Sequence, residues 1–143
     1  MKALDQKLHF ITLCVKDIVR SIAFYEALGW ERSRISRDGV IFFPLQGIIL
    51  ALHSREALAA EATIDAYGSG FSGVALSYHA KSKAEVDKIF QCVTRLGASI
   101  VKHPQGGYAT SYKGYFKDPD EHLFEVTFNP FYRFDKDNNV ILP

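Results

Sequence analysis

The chain states one plan twice, and that repetition restricts its fold more than any other feature. His9-Phe10-Ile11-Thr12-Leu13-Cys14-Val15 has the apolar, β-branched character of a strand. Asp17 follows it, then the helical run Ile18 to Leu28, closed by Gly29. Ser72 to Tyr78 is again strand-like, and Ser82 opens a second helical run that ends at Leu96-Gly97. The offset is roughly 63 to 68 residues, the length of a supersecondary unit rather than of a short solenoid repeat. A chain of 143 residues suits one domain. The repeat is therefore read as two modules inside it: module one 8–53, a linker 54–71, module two 72–130 and a C-terminal tail 131–143.

Within module one, Ile18, Ile22, Tyr25 and Leu28 share one helical face, Asp17 is placed as N-cap, and Gly29 as terminator. Trp30 to Ser36 and Val40 to Leu45 flank Arg37-Asp38-Gly39 as the arms of a hairpin, and Ile48 to His53 supplies a further strand. Ser54 to Glu61 is rich in helix formers. In module two, Ser82-Lys83-Ala84-Glu85 is a capping-box pattern, with Val86, Ile89, Phe90, Val93 and Leu96 at helical spacing. Strands are predicted at Ala98 to Lys102, around Tyr112 to Lys117, and at His122 to Phe128, with Asp118 to Glu121 as a turn. The loop Lys102 to Tyr108 is read as flanking a cavity mouth.

Several function classes lose support from composition. Seventeen basic residues against sixteen acidic ones give a net charge of +1, and no concentrated basic face for nucleic acid emerges. No stretch approaches the eighteen or so apolar residues of a membrane span, and the expectation is a cytoplasmic protein without a membrane partner. Cys14 and Cys92 have neither CxxC spacing nor a disulfide framework.

Two βαβββ units, with Asp17, Phe24-Tyr25 and Leu28-Gly29 in the first and Gly114-Tyr115-Phe116-Lys117-Asp118-Pro119-Asp120 through Phe124-Glu125-Val126 in the second, resemble the vicinal oxygen chelate superfamily. That superfamily includes glyoxalase I, bleomycin-resistance proteins, fosfomycin-resistance enzymes and extradiol dioxygenases. The resemblance implies an α+β, glyoxalase-like fold, in which the modules form a curved mixed sheet around a cavity. It also implies a homodimer as the default assembly. Metal-dependent members bind their ion through four inward-facing strand residues. Counted in this sequence, those positions fall on Phe10, Ala51, Gly73 and Glu125. Only Glu125 carries a ligand atom, and His9 belongs to the opposite strand face from Phe10. The expectation is no metal and no other cofactor, with a divalent metal as the alternative.

By strand alternation, Phe10, Thr12 and Cys14 face the cavity together with Ala51 and His53, and Gly73, Ala75 and Ser77 do so in module two. Trp30, Phe42 or Phe43, Tyr108 and Tyr112 are candidate aromatic lining. Glu125 is the catalytic candidate, a general base or an acceptor for a ligand hydroxyl or amine. The competing reading is an ancestral ligand neutralised by a neighbour such as Lys113 or an arginine. His9, His53, His79, His103 and His122 lack HxH or HExxH spacing; His53, two residues after Ala51, is the one kept as a candidate because it should share the inward face. The aromatic tail Asn129 to Phe134 is expected to dock on its own domain or on a partner subunit. Together these features favour a protein that binds a small organic molecule. The alternatives are a metal-dependent lyase or dioxygenase resembling lactoylglutathione lyase, and a metal-independent isomerase that uses Glu125.

Overall fold

The computed structural model describes residues 3–106 and 111–142. The chain divides into two compact units, Met1–Gly70 and Phe71–Pro143. The first runs β1 (Phe10–Val15), α1 (Ile18–Ala27), β2 (Ser36–Arg37), β3 (Val40–Leu45), β4 (Ile48–Ser54) and α2 (Arg55–Ala62). The second runs β5 (Ala75–His79), α3 (Lys83–Arg95), β6 (Ser99–Gly106), β7 (Tyr112–Lys117) and β8 (Leu123–Phe128), followed by β9 (Arg133–Phe134) and β10 (Val140–Ile141). The strand orders β1-β4-β3-β2 and β5-β8-β7-β6 are the same topology written twice. In each sheet the outer pair, β1 with β4 or β5 with β8, is parallel and the remaining pairs are antiparallel. The architecture is α+β, two four-stranded mixed sheets.

Local chemistry explains the helices. The Asp17 carboxylate accepts the Arg20 N–H at 3.1 Å and so satisfies one of the free amides of the first turn of α1. Gly29, at φ +98°, ends that helix in a conformation that only glycine adopts without strain. Ser82 caps α3 by accepting the Glu85 N–H at 3.0 Å, and the Glu85 carboxylate reaches back to the Lys81 N–H at 2.8 Å. The reciprocal bond thus falls one residue before the cap itself, a variant of the capping box.

α1 and α3 each cover one face of their own sheet. Leu13, Val15, Phe43, Leu50 and Leu52 are buried on the α1 side, where fully buried Tyr25 stacks on Trp30 at 5.6 Å and meets Phe43 at 5.9 Å. In the second unit Val86, Phe90 and Val93 of α3 are buried with Phe116, Phe124 and Val126. Phe90 meets Phe116 edge-on at 5.9 Å, and Phe116 stacks on Phe124 at 5.2 Å. The opposite face of each sheet carries no helix of its own repeat and is the more open: Phe10 remains 49% exposed where Leu13 is 7% exposed.

Two segments differ from the expectation, and the tail meets one of the two alternatives given for it. Of the arm predicted over Trp30 to Ser36, only Ser36 joins the ladder, with Arg37. The Trp30 ring is taken by Tyr25, and the Ser33 hydroxyl accepts the Ile35 N–H in a local turn that competes with strand pairing. The segment read as a loop from Lys102 is strand as far as Gly106, because Gln105 and Gly106 still pair with Lys113 and Tyr112. The aromatic tail forms the β9–β10 hairpin and docks within its own unit: Tyr132 stacks on His79 at 5.3 Å, and the Lys81 ammonium lies 5.4 Å from the Phe134 ring centre.

Register shifts between Ile100 and Gln105 buckle β6 toward Gly114 of β7. A Cβ on Gly114 would stand 2.7 Å from the Lys102 carbonyl oxygen, 2.7 Å from Phe90 Cζ and 2.9 Å from the Pro104 nitrogen. Two of those three atoms are backbone, so the neighbourhood does not yield cheaply. Gly114→Ala is therefore expected to destabilise the protein by about 1–3 kcal/mol. Urea denaturation reads this as a lower midpoint, and an unchanged midpoint contradicts the packing described.

Candidate functional site

The open face of the second sheet holds a hydrogen-bonded polar cluster centred on Glu125. β8 lies between β5 and β7, and the register sets Ser77 on one side of Glu125 and Tyr115 on the other. The Tyr115 hydroxyl donates to Oε2 at 2.6 Å, the Ser77 hydroxyl donates to Oε1 at 3.2 Å, and the Lys113 ammonium lies 3.7 Å from Oε2. Ala75 shares this face by alternation, and Lys113 is the neutralising neighbour considered from the sequence. The Glu125 side chain is 18% exposed, so the carboxylate is partly desolvated yet reachable. Its bond to Tyr115 has a measurable counterpart: the phenol pKa is raised, chiefly because the hydrogen bond to Glu125 favours the protonated form, then by burial and by carboxylate repulsion. Tyr115 thus stays a donor across the neutral range.

The register reading missed Tyr115, although a signal existed. Lys117 pairs with Leu123 across the Asp118 turn, so counting outward from that turn brings Tyr115 opposite Glu125. The turn itself is fixed by Asp118, whose Oδ1 accepts the N–H groups of Asp120 and His122, each at 2.9 Å. The His122 ring nitrogen Nδ1 lies 2.7 Å from Asp118 Oδ2. His122 accordingly serves the turn.

The corresponding face of the first sheet is largely apolar. Thr12 and Cys14 stand beside Ala51 and His53 in register, and Phe42 pairs with Ala51 from the other side. Phe10 meets Phe42 edge-on at 6.0 Å, and Ala51 is 2% exposed. His53 is engaged by the connecting helix, its Nε2 3.8 Å from Glu61 Oε2.

Other candidates lie elsewhere. Gly73 precedes β5, at φ +82°, and so has no inward strand direction; the strand begins two residues later, where regular pairing with β8 starts. Tyr112 is on the α3 side of β7, since its hydroxyl donates to Asp87 of that helix at 2.6 Å and alternation groups it with Phe116. Trp30 and Phe43 belong to the α1 core. Tyr108 lies outside the described residues.

These placements bear on the metal that the resemblance implies. Phe10 and Ala51 offer no side-chain donor atom and Gly73 has no side chain, so of the four positions only Glu125 carries a ligand atom. Among the described residues no three His, Cys, Asp or Glu side chains gather as a set of metal ligands. One carboxylate does not fit the several fixed ligands of a divalent catalytic site.

Comparison with known proteins agrees with the topology. Metallothiol transferase FosB of Lysinibacillus sphaericus is 27% identical over 120 residues, 84% of this chain and 80% of that protein. Among solved structures, a glyoxalase-related enzyme from Fulvimarina pelagi superposes with a TM-score of 0.85 at 25% identity, covering 96% of this chain and 98% of that one. The fosfomycin resistance protein FosX from Listeria monocytogenes superposes with a TM-score of 0.69 at 23% identity, covering 88% and 95%. The family described as Glyoxalase/Bleomycin resistance protein/Dioxygenase superfamily matches residues 7–126. The duplicated βαβββ topology, the residues that build it and this match together make the chain a member of the glyoxalase/bleomycin resistance protein/dioxygenase superfamily.

Proposed function

We propose that this protein binds a small organic molecule through the Glu125 cluster, without a resident metal, as a cytoplasmic homodimer. The observation that carries the reading is the carboxylate itself, on an open sheet face between Tyr115 and Ser77 with Lys113 nearby. A carboxylate has about four lone-pair sites, so Glu125 keeps acceptor capacity for a ligand hydroxyl or amine after its two hydroxyl partners are satisfied. Lys113 and Tyr115 add a cation and a proton donor beside that capacity, which suits a ligand with both donor and acceptor groups. The same carboxylate next to a protonated phenol also provides the elements of proton transfer, the basis for a Glu125-dependent isomerase.

A second reading is a metal-dependent transferase or lyase. Its support is the similarity to metallothiol transferase FosB and to the fosfomycin resistance protein FosX. Fosfomycin resistance is then the activity to assay, with thiol co-substrates and added divalent ions. The donor set described above weighs against it, and the first reading stands as the conclusion.

A thermal-shift screen of small hydroxylated and amine-bearing compounds tests the binding reading. Hits are expected to lose about tenfold or more in affinity in Glu125→Gln, which removes a charged acceptor while keeping shape. Affinities equal to wild type would place the ligand elsewhere and overturn the assignment.

Tyr115→Phe tests the cluster without a ligand. Because the folded-state pKa of Tyr115 is raised, its contribution to stability is fully present below the ordinary tyrosine range and is lost as pH rises through the folded value. Tyr115→Phe should therefore cost about 1 kcal/mol at neutral pH, a figure reduced for partial exposure, and less above about pH 10. Denaturation midpoints at the two pH values check this, and a cost that grows with pH contradicts it.

A further inference from the structure

The first unit has a concavity of about 410 Å³ lined by Arg32, Ser33, Arg34, Ser36 and Ile41, none of them a residue of the Glu125 cluster. Its place on the sheet follows from register. Ser36 pairs with Ile41, and Ile41 alternates with Phe42 and lies in phase with Phe43 on the α1 side. The concavity is therefore on the helix-bearing side of the sheet, at the outer β2 edge, whereas Phe10, Phe42 and Ala51 occupy the other side.

Its chemistry is that of an oxyanion receptor. Arg32 is held by Glu26 of α1 through a 2.9 Å contact from Nε to Oε1, an arrangement that fixes the side chain and leaves its terminal N–H donors. Arg34 makes no ion pair among the described residues and keeps a full guanidinium fork. The loop that presents it is pinned on both sides: the Ser33 N–H donates to the Phe42 carbonyl at 2.7 Å, and the Ile35 N–H donates to the Ser33 hydroxyl oxygen at 3.1 Å. The Ser33 hydroxyl proton and the Ser36 hydroxyl complete a rim of donors, with Ile41 as apolar floor. Guanidinium forks match tetrahedral oxyanions in geometry as well as charge. The volume lies within the range of about 300–1,000 Å³ typical of small-ligand sites.

We infer that the Arg32–Arg34 concavity is a second binding site, which takes the phosphate group of a small phosphorylated molecule or free phosphate. The site shares no residue with the Glu125 cluster and does not depend on the function proposed there.

Titration of the ¹⁵N-labelled full chain with inorganic phosphate, and separately with phenyl phosphate, at constant ionic strength tests it. Saturable shifts confined to the amides of Arg32 to Ser36 and their β3 neighbours are expected. Arg34→Gln should weaken binding by about tenfold or more, Arg34→Lys should restore part of it because charge returns without the fork, and Glu125→Gln should leave it unchanged. Tighter binding of phenyl phosphate identifies a phosphorylated organic ligand, and equal binding identifies the bare anion; either supports the site. Shifts that sodium chloride reproduces, or phosphate affinity unaltered in Arg34→Gln, would overturn it. Arg34 is exposed, so a native-like spectrum of the variant is expected and separates loss of binding from loss of fold.

Discussion

The pairing register of β8 is the constraint on which the site depends. Because side chains alternate along a strand, one register presents Phe124 and Val126 to α3 and Glu125 to the opposite face. Core burial enforces that choice: a slip by one residue would drive the carboxylate beneath the helix and expel two buried apolar side chains, a loss of several kcal/mol. The same ladders then deliver Ser77 from β5 and Tyr115 from β7 to the two carboxylate oxygens. Site geometry is here a by-product of the forces that pack the helix. The Asp118 turn reinforces it by fixing where β7 ends and β8 begins.

The two units show how a duplicated topology accommodates different chemistry. Both leave one sheet face without a helix of the repeat, and both use the helix-bearing face for aromatic and aliphatic core. In the first unit the position read as equivalent to Glu125 is Ala51, flanked in register by Thr12 and Phe42 and nearly inaccessible. In the second, the carboxylate persists with a phenol, a hydroxyl and an ammonium around it. The first open face offers apolar area, and the second offers directional hydrogen bonds.

Much of this was legible from sequence where local signals and burial pattern agree. The Asp17 and Ser82 caps, the α1 and α3 periodicities and the Asp118 turn each have a short-range physical cause, and the structure contains all of them. Alternation also put Phe10, Thr12, Cys14 and Ala51 on a common face, and Ser77 with Glu125. Less was legible where non-local contacts decide. Trp30 follows the helix to stack on Tyr25, and the chain after it joins the ladder only from Ser36. Gly73 adopts a left-handed conformation before β5 begins, which a strand count assumed to be regular does not show. Tyr112 reaches Asp87, a residue 25 positions earlier, and turns toward α3 as a result. Tyr115 required both the turn and the register, which together span two strands.

Glu125 is proposed to act as an organic hydrogen-bonding group rather than as the remaining ligand of a metal. Metal content per chain, measured by mass spectrometry on protein purified without chelator and again after incubation with Zn, Ni, Fe, Mn and Co, tests it most directly. Far less than one equivalent of any of these ions is expected after desalting, in wild type and in Glu125→Gln alike. About one tightly held ion per chain, lost in Glu125→Gln, would contradict it.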